Sequence, residues 1–272
     1  MISEIKAPTE ERAVSPRPGP FKVAVMQPTF APWLGFFGLV DAADRFVLLD
    51  EAQVIFRSWH HRNRLFRPDR TVGWINAPIK RKGMYKARIM DTPVDLSSRE
   101  WSKLGQTIRQ AYAKTPFFSQ VRPLVEEWMA GPQENLAGLN IHLIKAVSRE
   151  LGFETEWILS SELGGEGRRS SLILDLLQKS QAAVYLSARG SFGYMAEEGL
   201  FPLTGLEVVF QDFCHPRYPQ SHSQEFISHL SVLDALFNLG FEATGRLIKD
   251  SCGWSSWEEM EGAEDSQAGE GG

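Results

Sequence analysis

Cysteine is nearly absent. Cys214 and Cys252 are the two in 272 residues, too few for a disulfide framework or a four-thiolate metal site. No apolar run approaches the roughly 18 residues that a membrane-spanning helix needs. The opening stretch, MISEIKAPTEERAVSPRPGP, also lacks the apolar centre of a secretory signal. These absences lead to the expectation of a cytoplasmic protein with no membrane insertion. The glycine fingerprints of nucleotide sites are missing: neither GxGxxG nor GxxxxGK followed by Ser or Thr occurs. HExxH and CxxC spacings are missing as well, so no metal site and no cofactor is expected.

What is present is ordinary in bulk and uneven in detail. A chain with 43% hydrophobic and 23% charged residues has globular composition, and its length suits one large domain or two small ones. The net charge of -5 hides a contrast. Residues 57–88 carry ten bases against Asp69 alone, a local +9, while the last fifteen residues hold six acids and no base. A positive segment on an otherwise acidic chain implies an anionic partner. Phe56, Trp59, Phe66, Trp74 and Tyr85 interleave the bases, as in nucleic-acid binders. The acidic remainder would repel an extended polyanion, however, so a small phosphate-bearing substrate fits better. Arg57, Arg62, Arg64, Lys80 and Lys82 are the candidate phosphate-binding set, because guanidinium and ammonium groups converging on one pocket grip phosphate. The competing reading is a solvated basic face.

The prolines and mixed charges of residues 1–20 suggest a loose arm, and the acidic stretch from Glu258 to Gly272, without apolar periodicity, suggests a disordered tail. A single folded body over 21–250 remains. Short apolar runs alternate there with helical periods: KVAVM at 22–26, RFVLLD at 45–50, ETEWILS at 154–160, AVYLS at 183–187 and a weaker run at 206–211. Continuous apolar runs joined by helical crossovers predict an α/β fold, a Rossmann-like open, mostly parallel sheet. Three helices between 97 and 150 exceed what one crossover requires and predict a helical insert. VGWINAPI and KARIMD, between 72 and 91, are expected to form a strand pair around the basic turn KRKG. A last helix is expected from a Ser231 cap to a stop at Gly240, with Asp234 as the reciprocal member of its capping motif.

In open α/β sheets ligands bind beyond the carboxyl ends of the strands. The residues there are Gln27 and Thr29 after the first run, then Asp50, Glu51 and Gln53, then Ser160, Ser161 and Glu162, then Ser187, Arg189 and Ser191, then Asp212 and His215. Among six histidines, His60 sits in the basic RSWHHRNR segment, where neighbouring positive charge favours the neutral imidazole that a general base requires. His215 follows a strand end and is a comparable candidate; Asp50 is the third. His142 is expected to pack beside the helical core, and His222 and His229 to be ordinary surface residues. The glycines of ELGGEGRR, 162–169, precede a helix whose start could hold an anion beside Arg168 and Arg169, although a plain flexible connection is the commoner explanation.

The stretch VMQPTFAPWLGFFGLVDAADRFVLLDEAQVIFRSWHHRNR, followed by APIK (77–80), TPFF (115–118), LGFETEWILSSEL (151–163), YLSARGSFGYM (185–195), HPRYPQ (215–220) and LSVLDALFNLG (230–240), resembles the bacterial WbqC-like family over essentially the whole folded body. Gln27, Trp33, Asp50, Gln53, Trp59, Arg62, Asn63, Arg64, His215, Pro216 and Tyr218 match its pattern. The family usually carries Gln-Asn where this chain has His60-His61. The resemblance implies a place in surface-polysaccharide, O-antigen or natural-product biosynthesis. Combined with the basic segment, it leads to an expected group-transfer enzyme. Such an enzyme would move an acyl or aminoacyl group to or from a nucleotide-linked amino sugar or a carrier-bound thioester. Nucleotidyl transfer, with magnesium held by Asp50 and Glu51, and a non-catalytic binding subunit are the alternatives.

Overall fold

The computed structural model describes residues 18–269 apart from Arg81 and Tyr85, with side chains as far as Ala263. The expected N-terminal arm therefore lies, through residue 17, outside the described residues.

Five apolar runs form the parallel strands β1 (Lys22–Met26), β2 (Arg45–Leu48), β5 (Glu156–Leu159), β6 (Val184–Ala188) and β7 (Glu207–Phe213). A sixth strand, β8 (Cys252–Ser256), adds antiparallel to β7 and gives the order β5-β2-β1-β6-β7-β8. Counted by their appearance in the sheet, these are strands 3-2-1-4-5-6, the order of the doubly wound dinucleotide-binding fold. The chain winds away from β1 in one direction through β2 and β5, and in the other through β6 and β7. Its switch point is the crevice between β1 and β6.

Alternation along the strands divides the core between two faces. Ala24, Phe46, Leu48, Val184 and Leu186 face the larger layer, with α1 (Leu34–Ala42), α4 (Leu136–Glu150) and α8 (Val232–Asp250). Val23, Val25, Val47, Tyr185, Val208 and Phe210 face the smaller layer, with α6 (Ser170–Lys179), α7 (Phe192–Glu198) and α9 (Trp257–Gly269). A single turn, α5 (Ser160–Leu163), links β5 to α6. The α2 (Arg99–Tyr112) and α3 (Phe118–Ala130) helices are the surplus pair predicted between 97 and 150, and α4 is the crossover to β5. Ser98 caps α2, accepting from the Trp101 N–H.

Three expectations are corrected. The strand pair of the basic segment is β3 (Arg62–Phe66) with β4 (Val72–Asn76), which form their own antiparallel hairpin. The KARIMD stretch instead makes one bridge, Gln53 with Arg88, and turns there. The helix capped by Ser231 does break at Gly240, at φ 76° and ψ 177°, as expected, but it is not the last: a second helical stretch, counted here with it as α8, runs on to Asp250, and α9 follows. Only glycine adopts that backbone readily, and the Phe117 ring lies where a Cβ would be. The acidic tail, finally, is helical as far as Gly269, its last three residues lying outside the described residues: α9 buries Trp257, just before the tail, and Met260 within it, in the cluster that holds Phe192 and Phe210. Two apolar residues one turn apart were enough to seat a helix whose remaining sequence is polar.

Candidate functional site

The turn after β1, Gln27 to Trp33, uses proline and backbone clamps where the dinucleotide fold uses glycines. Asn63 in β3 donates from Nδ2 to the carbonyls of Phe30 and Ala31, while its Oδ1 accepts from the Arg64 N–H. Asn140 of α4 donates to the carbonyls of Pro28 and His60. These clamps hold Ala31 at φ 44°, a conformation that costs a non-glycine residue about 1–3 kcal/mol and recurs at binding sites. The turn lies at the carboxyl end of β1, so it opens on the switch point.

Two cavities meet there, one on each face of the sheet, and share Met26, Gln27 and Ala188. On the α1 face a cavity of about 410 Å³ is walled by Trp33, Phe36, Leu39 and Trp59, with Gln27, Thr29, His60, Gln211 and His229 supplying polar atoms. Among the described residues no Asp, Glu, Lys or Arg lines it. On the α6 face a larger groove of about 970 Å³ carries Lys86, Arg168 and Arg169 against Glu51, together with Gln53, Ser160, Ser187, Ser191 and Tyr194. Arg169 pairs with Glu198 at 2.7 Å, and Glu198 also accepts from the Ser170 N–H at the start of α6. Arg168 has no carboxylate partner among the described residues.

The three residues proposed as a base are differently placed. His60 is 8% exposed and lines the neutral cavity. Its Nδ1 accepts from the Ile55 N–H at 3.1 Å, so the proton resides on Nε2. Burial lowers its pKa to about 4. It is therefore a hydrogen-bond donor, not a base. His215 stacks with Trp33 and is half-buried, its Nδ1 bonded to the Pro216 carbonyl and its Nε2 accepting from the His229 N–H. Burial lowers its pKa, and both ring nitrogens are engaged. Asp50 is buried and accepts three hydrogen bonds, from Ser160 Oγ, Ser161 N and Ser161 Oγ. It holds the start of α5 against β2.

The basic segment does not converge on one pocket. Arg62 lies over the Trp74 ring at 4.0 Å, and Arg64 donates to the carbonyls of Ser228 and His229. Lys80 lines a separate groove between the hairpin and α2. Arg57 and Lys82 are exposed and line neither cavity. Arg189 pairs with Asp212. Trp59, 49% exposed, leans on Trp74 at the mouth of the neutral cavity. Gln27, Thr29, Gln53 and Ser187 do line the cleft. Glu51 pairs with Arg88, and among the described residues no three His, Cys, Asp or Glu side chains gather as a metal site would.

Tyr218 and Asp234 belong to a buried network away from the cleft. Tyr112 Oη and Tyr218 Oη donate to the two carboxylate oxygens of Asp234, each at 2.8 Å, and Gln220 adds a third bond. Burial raises the Asp234 pKa despite these bonds. The side chain ties α2 and the loop before α8 to α8 itself instead of completing a cap; Ser231 Oγ caps alone, through the Leu233 N–H. His222 is no ordinary surface residue: it stacks on Phe66 and bonds the Ala111 carbonyl. His229 stacks on Trp33 and lines the cavity. His142 is half-buried beside Gln133, as expected.

One cleft residue carried no signal in the sequence, and a second, Arg168, was legible only as the less favoured reading of ELGGEGRR. Gln211 lies inside β7, and its Nε2 donates to the Gly35 carbonyl at 2.9 Å. That contact requires Gly38, since a Cβ there would meet Gln211 Nε2 and Cys252 Sγ. Arg168 precedes α6 in a polar loop, where any arginine looks solvated.

A family model described as the WbqC-like protein family matches residues 27–246, a span from the turn after β1 into α8. The chain belongs to the WbqC-like family. The matched span contains every cleft residue named above except Met26. A curated relative, "Uncharacterized protein Rv1507c" of Mycobacterium tuberculosis (strain ATCC 25618 / H37Rv), is 28% identical over 224 residues, covering 82% of this chain and 95% of that protein. No solved structure matches.

Proposed function

We propose that this WbqC-like protein is a group-transfer enzyme that moves an acyl or aminoacyl group to or from a phosphate-bearing substrate. A nucleotide-linked amino sugar or a phosphopantetheine carrier, in glycan or natural-product biosynthesis, fits that description. The observation that supports this reading is the junction at Gln27 of a neutral aromatic cavity with a cationic groove, at the sheet's switch point. A substrate with an uncharged head and an anionic arm matches both halves. Arg168, rather than the arginines of the hairpin, is the residue placed to meet the phosphate.

In this reading the protein contributes placement and polarisation. An amine acceptor can attack an activated acyl carbonyl when the two are held in contact; the new C–N bond replaces the bond to the donor's thiol or phosphate, which departs with the proton that the amine gives up, and the His60 Nε2–H is a donor that would polarise the acyl oxygen during this exchange. Nucleotidyl transfer finds less support, because Asp50 and Glu51 are engaged with Ser160, Ser161 and Arg88. A non-catalytic binding subunit is the second reading, favoured by the engagement of His60 Nδ1, His215 and Asp50 in bonds within the protein.

Calorimetric titration with pyrophosphate, coenzyme A and nucleotide-linked amino sugars, paired with mass spectrometry of acyl-donor mixtures, tests both. Arg168→Ala is expected to weaken phosphate-bearing ligands by about ten- to hundredfold, the worth of a charged hydrogen bond. Unchanged affinity would remove the cationic groove from the substrate site. Tight binding with no product from a broad donor panel selects the binding subunit.

A further inference from the structure

The neutral cavity has its own chemistry. Three of its polar side chains are already engaged. Asn63 clamps the turn, Ser58 Oγ donates to the Ile55 carbonyl and accepts from the His60 N–H, and Gln211 Nε2 bonds Gly35. Of the polar groups that remain, which include Gln27, Thr29 and His229, two have their donor or acceptor sense fixed by the protein. The Gly35 carbonyl fixes the Gln211 amide with its nitrogen inward, so Oε1 is an acceptor without a protein donor among the described residues. The Ile55 N–H fixes the His60 tautomer in the same way, so Nε2–H is a donor without a protein acceptor among the described residues. Both side chains are more than nine-tenths buried. The two leftover atoms open on the cavity, where a ligand can take the place of water as their partner, and the surrounding Trp33, Phe36 and Trp59 rings offer flat apolar walls.

We propose that this cavity is a head-group subsite for a neutral, planar group that presents both a hydrogen-bond acceptor and a donor: a carboxamide, as in an N-acyl group, or the edge of a nucleobase. The acceptor meets His60 Nε2–H and the donor meets Gln211 Oε1, while the ring or amide plane lies against tryptophan. A charged head is excluded, because among the described residues no counter-charge lines the cavity and an unpaired buried ion is costly. The subsite rests on the preceding reading only in assigning the attached phosphate to the cationic groove.

The test uses the full chain and saturation-transfer NMR with uridine, N-acetylglucosamine, glucosamine and pyrophosphate. Uridine or N-acetylglucosamine is expected to bind and glucosamine, an ammonium ion at neutral pH, to be rejected. Which of the two binds distinguishes nucleobase from carboxamide. His60→Phe should weaken that binding about tenfold, and His60→Gln, which keeps an N–H donor, should restore it; pyrophosphate binding should be the same in all three. In the wild type, long-range proton–nitrogen spectra should show His60 protonated on Nε2. Should His60→Phe not fold, Gln211→Leu and this spectrum decide. Silence of both neutral probes, equal binding by folded His60→Phe, or a proton on Nδ1 overturns the subsite. Pyrophosphate binding that persists through such a failure leaves the phosphate reading standing; neutral-probe binding without pyrophosphate does the reverse.

Discussion

His60 shows how one hydrogen bond reverses a chemical role. The basic neighbours of RSWHHRNR suggest a neutral imidazole; the ring is held neutral by burial instead, and the Ile55 N–H occupies the lone pair that a base would use. That contact comes from the fold of the six residues from Ile55 to His60, which spacing does not reveal. The depressed pKa has a consequence for stability. Unfolded histidine takes up its proton near pH 6.5, whereas folded His60 resists protonation until about pH 4. Between these values the unfolded state binds more protons. Its contribution is therefore fully present above pH 6.5 and is lost as pH falls to 4, by up to about 3 kcal/mol. Denaturant midpoints between pH 7 and 4 should fall less steeply in His60→Gln than in the wild type; parallel curves would mean that burial does not hold this ring neutral.

Elements were legible in the sequence where apolar pattern alone decides them, and less so where backbone geometry does. The five parallel runs emerge within a few residues of their observed limits, because strands buried on both faces must read as continuous apolar stretches. β8 did not emerge: Cys-Gly-Trp-Ser-Ser is polar, and its place at the sheet edge asks little of its outer face. Gly240 illustrates the opposite difficulty. A glycine after a capped helix reads as a stop, and the helix does break there, yet a second helical stretch follows and α8 bends around the start of α3, where the Phe117 N–H donates to the Phe237 carbonyl. Gly240→Ala would force a side chain into a left-handed backbone and into the Phe117 ring, 2.6 Å from the new Cβ. A loss of about 3 kcal/mol is expected from strain and overpacking together, visible as a lowered denaturant midpoint with unchanged slope.

At the scale of the molecule, both faces of the sheet are covered, and the last helix is part of the cover. Trp257 is buried against Phe192 and Phe210 and donates to Glu261. Trp257→Ala should cost about 3–5 kcal/mol, measurable by thermal unfolding; an unaltered transition would return residues 257–269 to the status of a detached tail. Charge was less informative at this scale than composition suggested. The +9 segment is one hairpin with its flanking turns; Arg62 lies on an aromatic ring, Arg64 bonds carbonyls, and Arg88 pairs with Glu51 and Asp91 of the same protein. The cation best placed for a ligand lies a hundred residues away, because a doubly wound sheet gathers its site from strand ends that are remote in sequence.

That gathering also sets an order of assembly. β1 is the first strand made, but its partner across the switch point, β6, begins at Val184, and the carbonyls of Pro28 and His60 wait for Asn140. Closing loops of such length is slow relative to forming helices and hairpins. The turn that floors the cleft therefore acquires its shape late on the folding pathway, after most of the polypeptide has found its place. A nascent chain emerging through α3 holds every residue of that turn, and none of the contacts from α4 and β6 that hold it.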